Sequence, residues 1–168
     1  MTWIKPNFLV VLLLQGCGIY SFSGISLPPD AKTFSLSIHT DVASGPAGLA
    51  AKFQQRLSDE LVQRTKLKRT YTQGDIQLEG GIKRFTYMPV ALTQRSQEGQ
   101  ASMVRLMIEV ELTYVNPYDE EAAFDKKTFT QSADIFATAN KNSEESRLID
   151  TIFAKLIEDI FNETIASW

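Results

Sequence analysis

The sequence predicts an α+β domain: an antiparallel sheet of about four strands with two helices packed on one face. Three observations carry this. Residues 103–115 alternate apolar and polar side chains over the length of a long strand. Two other segments, near 49–64 and 143–161, instead repeat apolar residues every three to four positions, the period of a helix. Along the chain the patterns run strand, helix, three long strands, helix.

Taken in order, Thr33 to His39 alternates with Phe34, Leu36 and Ile38 on one face, a short strand. Ser44-Gly45-Pro46 reads as a helix start with Pro46 near the first turn. Leu49, Phe53, Leu57 and Leu61 recur every four residues, with Lys52, Gln55, Arg56 and Asp59 between them, so the helix runs to about Arg64. Asp75 to Tyr87 is a strand in which Ile76, Leu78 and Ile82 are in phase and Phe85 and Tyr87 are not. That slip, beside Gly80-Gly81, indicates a β-bulge. Met88-Pro89 is expected to end the strand's free pairing, with Arg95 to Gln100 a polar turn.

In Met103 to Val115, Val104, Leu106, Ile108, Val110, Leu112 and Tyr114 face one way. Arg105, Glu109, Glu111 and Thr113 face the other, as in an antiparallel sheet with one wetter face. Asn116-Pro117-Tyr118-Asp119 is a turn, and Phe124 to Ala137 the next strand, strongest at Phe129 to Phe136. Ser143-Glu144-Glu145-Ser146 opens the last helix, with acid in its first turn as the helix dipole favours. Leu148, Ile149, Ile152, Phe153, Leu156, Ile157, Ile160 and Phe161 give that helix a broad apolar stripe.

The N-terminus divides the chain into residues 1–16 as a lipoprotein signal peptide, 17–32 as a lipidated segment and 33–168 as the folded domain. Lys5 supplies the positive end of a secretory leader, and Phe8 to Leu14 its apolar stretch. Seven apolar residues span about 10 Å as a helix, well short of the ~30 Å hydrocarbon core, so the leader does not anchor by spanning. Leu14-Gln15-Gly16-Cys17 resembles the bacterial lipobox, with Leu three residues before the cysteine and a small residue just before it. The thiolate of Cys17 would take a diacylglyceryl group as a thioether, and Gly16 leaves room for the signal peptidase. Gln15 departs from the small or apolar residue usual at its position. The alternative is a leader with an incidental cysteine, but the chain's single Cys falls where the motif needs it. One acyl chain binds a membrane marginally, at about 0.8 kcal/mol per buried CH₂, whereas two or three hold firmly. No Asp follows Cys17, and no acidic cluster does, so the expected address is the outer membrane, facing the periplasm.

The 168 residues leave about 150 after the leader, enough for one domain with one core. A net charge of −3 argues against a nucleic-acid partner. One Cys and one His fall short of a structural zinc site, and no cofactor is implied. His39 has no nucleophile motif or second His beside it and reads as structural. Asp119-Glu120-Glu121 lacks calcium-loop spacing, and Gly80-Gly81 lacks phosphate-loop spacing. No catalytic set can be assembled, so an enzyme is not expected. Lys66, Lys68, Arg69, Lys83, Arg84 and Arg105 place cations near the sheet, where they could meet lipid phosphates through charge-assisted bonds; the plain alternative is a scatter of solvated charge. The long strands also leave at least two sheet edges needing protection or a partner.

Several stretches form a set: Cys17-Gly18-Ile19-Tyr20-Ser21-Phe22-Ser23-Gly24, then Leu27-Pro28-Pro29-Asp30-Ala31-Lys32-Thr33 and Gly74-Asp75-Ile76-Gln77-Leu78-Glu79-Gly80. Arg105-Leu106 opening the alternating strand, Asn116 with Asp119-Glu120 at its end, and Asp159-Ile160-Phe161-Asn162 to Trp168 complete it. Together they resemble the lipopolysaccharide-assembly lipoprotein family LptE in its Bacteroidota form. Thr40-Asp41-Val42 replaces the usual Asn-rich link, and Met103-Val104 stands where a more polar residue is expected. The resemblance implies a non-catalytic plug and chaperone of an LptD-like outer-membrane β-barrel that binds lipopolysaccharide, with the six cations above as candidate lipopolysaccharide contacts. The alternative is a membrane-anchored periplasmic carrier of lipid or another small ligand, which calls for an apolar pocket between helices and sheet.

Overall fold

The computed structural model describes residues 27, 30–40, 42, 44–90, 103–137 and 139–166. The expected leader, Cys17, most of the segment expected to be lipidated and the polar turn expected at 95–100 lie outside the described residues. The chain forms β1 (Thr33–Thr40), α1 (Leu49–Arg64), β2 (Lys68–Thr70), β3 (Ile76–Val90), β4 (Met103–Val115), β5 (Phe124–Phe136) and α2 (Lys141–Thr164). The expected α+β layering is present, with two helices against one face of a sheet. The sheet has five strands in the order β2-β1-β3-β4-β5 and is mixed rather than wholly antiparallel. β1 runs parallel to both β2 and β3, while β3-β4-β5 is an antiparallel meander.

The physical reason for the mixed sheet lies in two connections. From β1 the chain passes through α1 and returns as β2 beside its starting strand, which makes the pair parallel, as helical crossovers do. Residues 71–75 then carry the chain from β2 to β3 on the other side of β1. Gly74 makes this crossing directly against the backbone of β1: a Cβ there would lie 2.5 Å from Ser35 N and 2.6 Å from Phe34 C. Only a residue without a side chain fits.

The local patterns place the core. Phe34, Leu36, Ile38, Ile76, Leu78, Ile82, Leu106, Ile108, Val110, Leu112 and Tyr114 are all buried on the helix-covered face. From α1, Leu49, Phe53, Leu57 and Leu61 pack onto them, and the whole predicted stripe of α2 is buried. Phe53 and Phe153 meet edge-to-face between the helices at 4.9 Å, a geometry that suits their ring quadrupoles. The bulge predicted from the phase slip falls at Lys83, where the β3–β4 register shifts between Ile82 and Arg84. It returns Phe85 to the buried side.

Three local readings change. The Ser44-Gly45-Pro46 segment does not cap α1. The helix begins at Leu49 behind Gly48, whose φ is 77°, and Ser44 Oγ instead donates to Phe85 O at 2.9 Å. Pro89 does not end the pairing of β3, which continues to Val90 opposite Met103. β1 covers β3 only as far as Ile82, so Pro89 stands where that side of β3 is unpaired by β1, and a residue without N–H is tolerated. The last helix starts at Lys141, ahead of Ser143, whose hydroxyl donates to Asn140 O at 3.0 Å.

Candidate functional site

The register decides what the uncovered face of the sheet carries. Because side chains alternate, the residues between the buried ones point away from the helices. They include Ser35, Ser37 and His39 of β1, Glu79 of β3, Arg105, Glu109 and Glu111 of β4, and Thr130 and Asp134 of β5. This face is polar, and Lys83, Arg84 and Arg105 each pair across strands with a carboxylate on it.

Three of the six candidate cations sit there. Arg105 lies opposite Asp134 and holds it through two bonds, Nε to Oδ1 at 2.7 Å and Nη2 to Oδ2 at 2.9 Å. Those bonds keep the Asp134 carboxyl below its ordinary value, against a smaller opposing effect of burial, and hold the Arg105 guanidinium above its own. Arg84 lies opposite Glu109, 3.7 Å away, and Lys83, the bulged residue, reaches Glu111 at 3.3 Å. The bulge allows both neighbours to pair on one side, since an ordinary strand would send them to opposite faces.

The other three cations are elsewhere. Lys66 precedes β2, and Lys68 and Arg69 belong to it, two strands away from the ion pairs. Among the described residues neither Lys66 nor Lys68 has a carboxylate partner. Arg69 lies over the ring of Tyr71 at 5.2 Å, and its buried Nε has no hydrogen-bond partner. The sequence reading thus grouped six residues that the fold separates into a compensated row and an uncompensated edge. It also passed over Tyr71, which is 90% exposed. Its position at the end of the run Lys66-Leu67-Lys68-Arg69-Thr70-Tyr71 was the available signal.

His39 stacks beside Gly81, its strand partner, where a Cβ would come within 2.8 Å of the imidazole Nε2. Gly81 therefore makes room for a ring, whereas Gly80 makes room for β4, where a Cβ would lie 2.0 Å from Glu111 O. Asp119 receives the Ala122 N–H at 3.3 Å, and Asn116, buried, accepts from Tyr118 N and donates to the Tyr114 hydroxyl. Burial pushes that hydroxyl up to about 12, opposed by the Asn116 bond and aided by Asp119. Among the described residues no group of three or more His, Cys, Asp or Glu side chains is placed to hold a metal ion. None of the helices in them is long and apolar enough to cross a membrane.

A groove of about 410 Å³ runs between the helices on their outer side, lined by Arg56, Asp59, Glu60, Ala154, Ile157 and Glu158. A smaller hollow of about 100 Å³ lies at the end of the sheet among Tyr87, Val104, Ile135, Phe136, Ala137 and Ala139. Neither combines the size and apolar lining usual for a small-ligand site.

Compared with known proteins, residues 31–164 match the family LptE, described as lipopolysaccharide-assembly. No curated protein matches the chain. Among solved structures it is similar to a neuraminyllactose-binding hemagglutinin homolog from Helicobacter pylori, at 10% identity and a TM-score of 0.52, covering 86% of this chain and 88% of that one. It is also similar to a minor lipoprotein from Acinetobacter baumannii (15% identity, TM-score 0.47, 77% and 90% covered). A third likeness is to rare lipoprotein B from Shewanella oneidensis (11% identity, TM-score 0.43, 77% and 89% covered). At 10% identity, the likeness to the Helicobacter protein is one of fold.

Proposed function

The chain belongs to the lipopolysaccharide-assembly family LptE, and we propose that within that process it acts as the lipid-anchored plug and chaperone of an LptD-like outer-membrane β-barrel. The observation that carries this reading is the uncovered face of the sheet. A domain that sits inside a barrel meets a polar, watery wall, and a row of mutually neutralised charges suits that setting. Arg105–Asp134, Arg84–Glu109 and Lys83–Glu111 give the face many hydrogen-bonding groups and little net charge.

In this reading Cys17 carries the acyl chains, and the domain faces the periplasm at the base of the barrel. Lipopolysaccharide phosphates are met by Lys83, Arg84 and Arg105. The single-bond pairs Lys83–Glu111 at 3.3 Å and Arg84–Glu109 at 3.7 Å are weak, so a phosphate offering charge-assisted bonds can exchange with their carboxylates first. The alternative of a carrier for lipid or a small ligand is less well supported, because Phe53, Leu57, Leu61, Phe153 and Phe161 occupy the space between helices and sheet.

Two measurements test the proposal. Native purification of the tagged chain should bring down a large outer-membrane barrel protein; repeated isolation without one removes the plug. Depletion of the chain should lower surface lipopolysaccharide and cause it to accumulate inside the cell. Normal surface lipopolysaccharide would remove the assembly role for this chain.

A further inference from the structure

We propose that the β2 edge is a membrane-contact surface, built to rest on anionic phospholipid headgroups of the leaflet that holds the tether. Lys66, Lys68 and Arg69 are consecutive or nearly so, and Lys32 joins them because its carbonyl accepts from Lys68 N at 2.9 Å. Lys32, Lys66 and Lys68 are exposed. The acids beside them are Asp30 and Asp75; Asp75 stays ionised under the N–H and O–H bonds it accepts from Lys32 and Thr33, so four cations face two carboxylates here. Arg64, the other nearby cation, is held by Glu60 and Glu158 and lies over Phe161. The edge is therefore locally basic in a chain whose net charge is −3.

Tyr71 completes the surface. It is the most exposed large hydrophobic side chain of the described residues, at 90%, and Arg69 lies over its ring. A phenol beside cations suits the headgroup region, where one part of the ring is apolar and the hydroxyl stays wet. Position argues the same way. Lys32 is the last residue before β1, where the chain coming from Cys17 joins the domain. Fifteen residues reach about 50 Å at full extension, so an edge beside that junction stays within reach of the bilayer.

This inference rests on the tethered, membrane-facing reading, and the experiment keeps the two apart. The full chain carrying Cys17→Ala is floated with phosphatidylcholine vesicles, with and without phosphatidylglycerol, alongside the same chain carrying Lys66→Gln and Lys68→Gln. The leader is common to both chains and cancels. Binding should rise with phosphatidylglycerol, and that rise should fall roughly fivefold for each lysine neutralised. It should vanish in high salt, where the screening length shrinks to about 3 Å. Equal binding of both chains to phosphatidylglycerol vesicles would overturn the proposal. So would binding only when lipopolysaccharide replaces phosphatidylglycerol, which would make the edge a lipopolysaccharide site. Acylation of the unaltered chain is read separately by mass, so loss of the tether reading leaves this outcome interpretable.

Discussion

Asp75 and Thr33 bind each other in both directions. The Thr33 N–H and hydroxyl donate to Asp75 Oδ2 at 2.9 and 2.8 Å, and the Asp75 N–H donates back to Thr33 Oγ1 at 3.1 Å. The Lys32 N–H adds a further bond to the same carboxylate oxygen at 3.0 Å. The first residues of β1 are thus fixed to the residue that leads into β3, immediately after the chain has crossed β1 at Gly74.

These bonds set an acid-side dependence. The Lys32 N–H, followed by the Thr33 hydroxyl and N–H, holds the Asp75 carboxyl below its ordinary 3.8. A carboxyl lowered in the folded state contributes fully above 3.8 and loses that contribution as pH falls through the folded value. Denaturant unfolding over a pH series should therefore show an acid decline that is shallower in Asp75→Asn. Equal slopes for the two proteins would contradict the clamp.

The crossing itself predicts an asymmetry between two glycines. Gly74→Ala meets backbone atoms of Phe34 and Ser35 at 2.5–2.8 Å, and overpacking of this kind costs about 1–3 kcal/mol. Gly81→Ala meets the far end of the His39 ring, which can swing, so its cost should be less than half as large. Urea denaturation of both variants provides the comparison.

Phe153 is fully buried against Phe53 between the helices. Phe153→Ala should lower unfolding free energy by about 3–5 kcal/mol. A loss below about 1 kcal/mol would mean that the two helices are not packed through this pair.

On the alkaline side, Tyr114 is raised to about 12 mainly by burial. A group raised in the folded state contributes stability below its unfolded value of 10.0 and loses it as pH rises toward the folded one. Phenolate absorbance should show a late step near 12 that is missing in Tyr114→Phe. A spectrum without that late step in the unaltered protein would place the ring in water.

For the proposed anchor, Cys17→Ser should abolish both the acyl mass and the cleavage before residue 17, leaving a chain heavier by its uncut leader and absent from outer-membrane fractions. Retention at the unaltered level would show that something other than a thioether-linked lipid holds it.

Much of the fold is written locally. The alternation over Met103–Val115 matches β4 residue for residue, since period-two burial is a property of the strand itself. The stripe from Leu49 to Leu61 and that from Leu148 to Phe161 define the helices for the same reason, and the phase slip before Phe85 located the bulge. β2 could not be read, because three residues, Lys68–Thr70, are too few to display a period.

The sequence by itself determined which side chains face the core and which face outward. Tertiary structure alone decided their neighbours. Lys83, Arg84 and Arg105 look like free cations along the chain, and only the pairing of β3, β4 and β5 sets Glu111, Glu109 and Asp134 beside them. Likewise, β1 became parallel to β2 and β3 through the helical return and the passage at Gly74. Alternation records a face and a period, both local; a partner strand and its direction depend on register between distant segments.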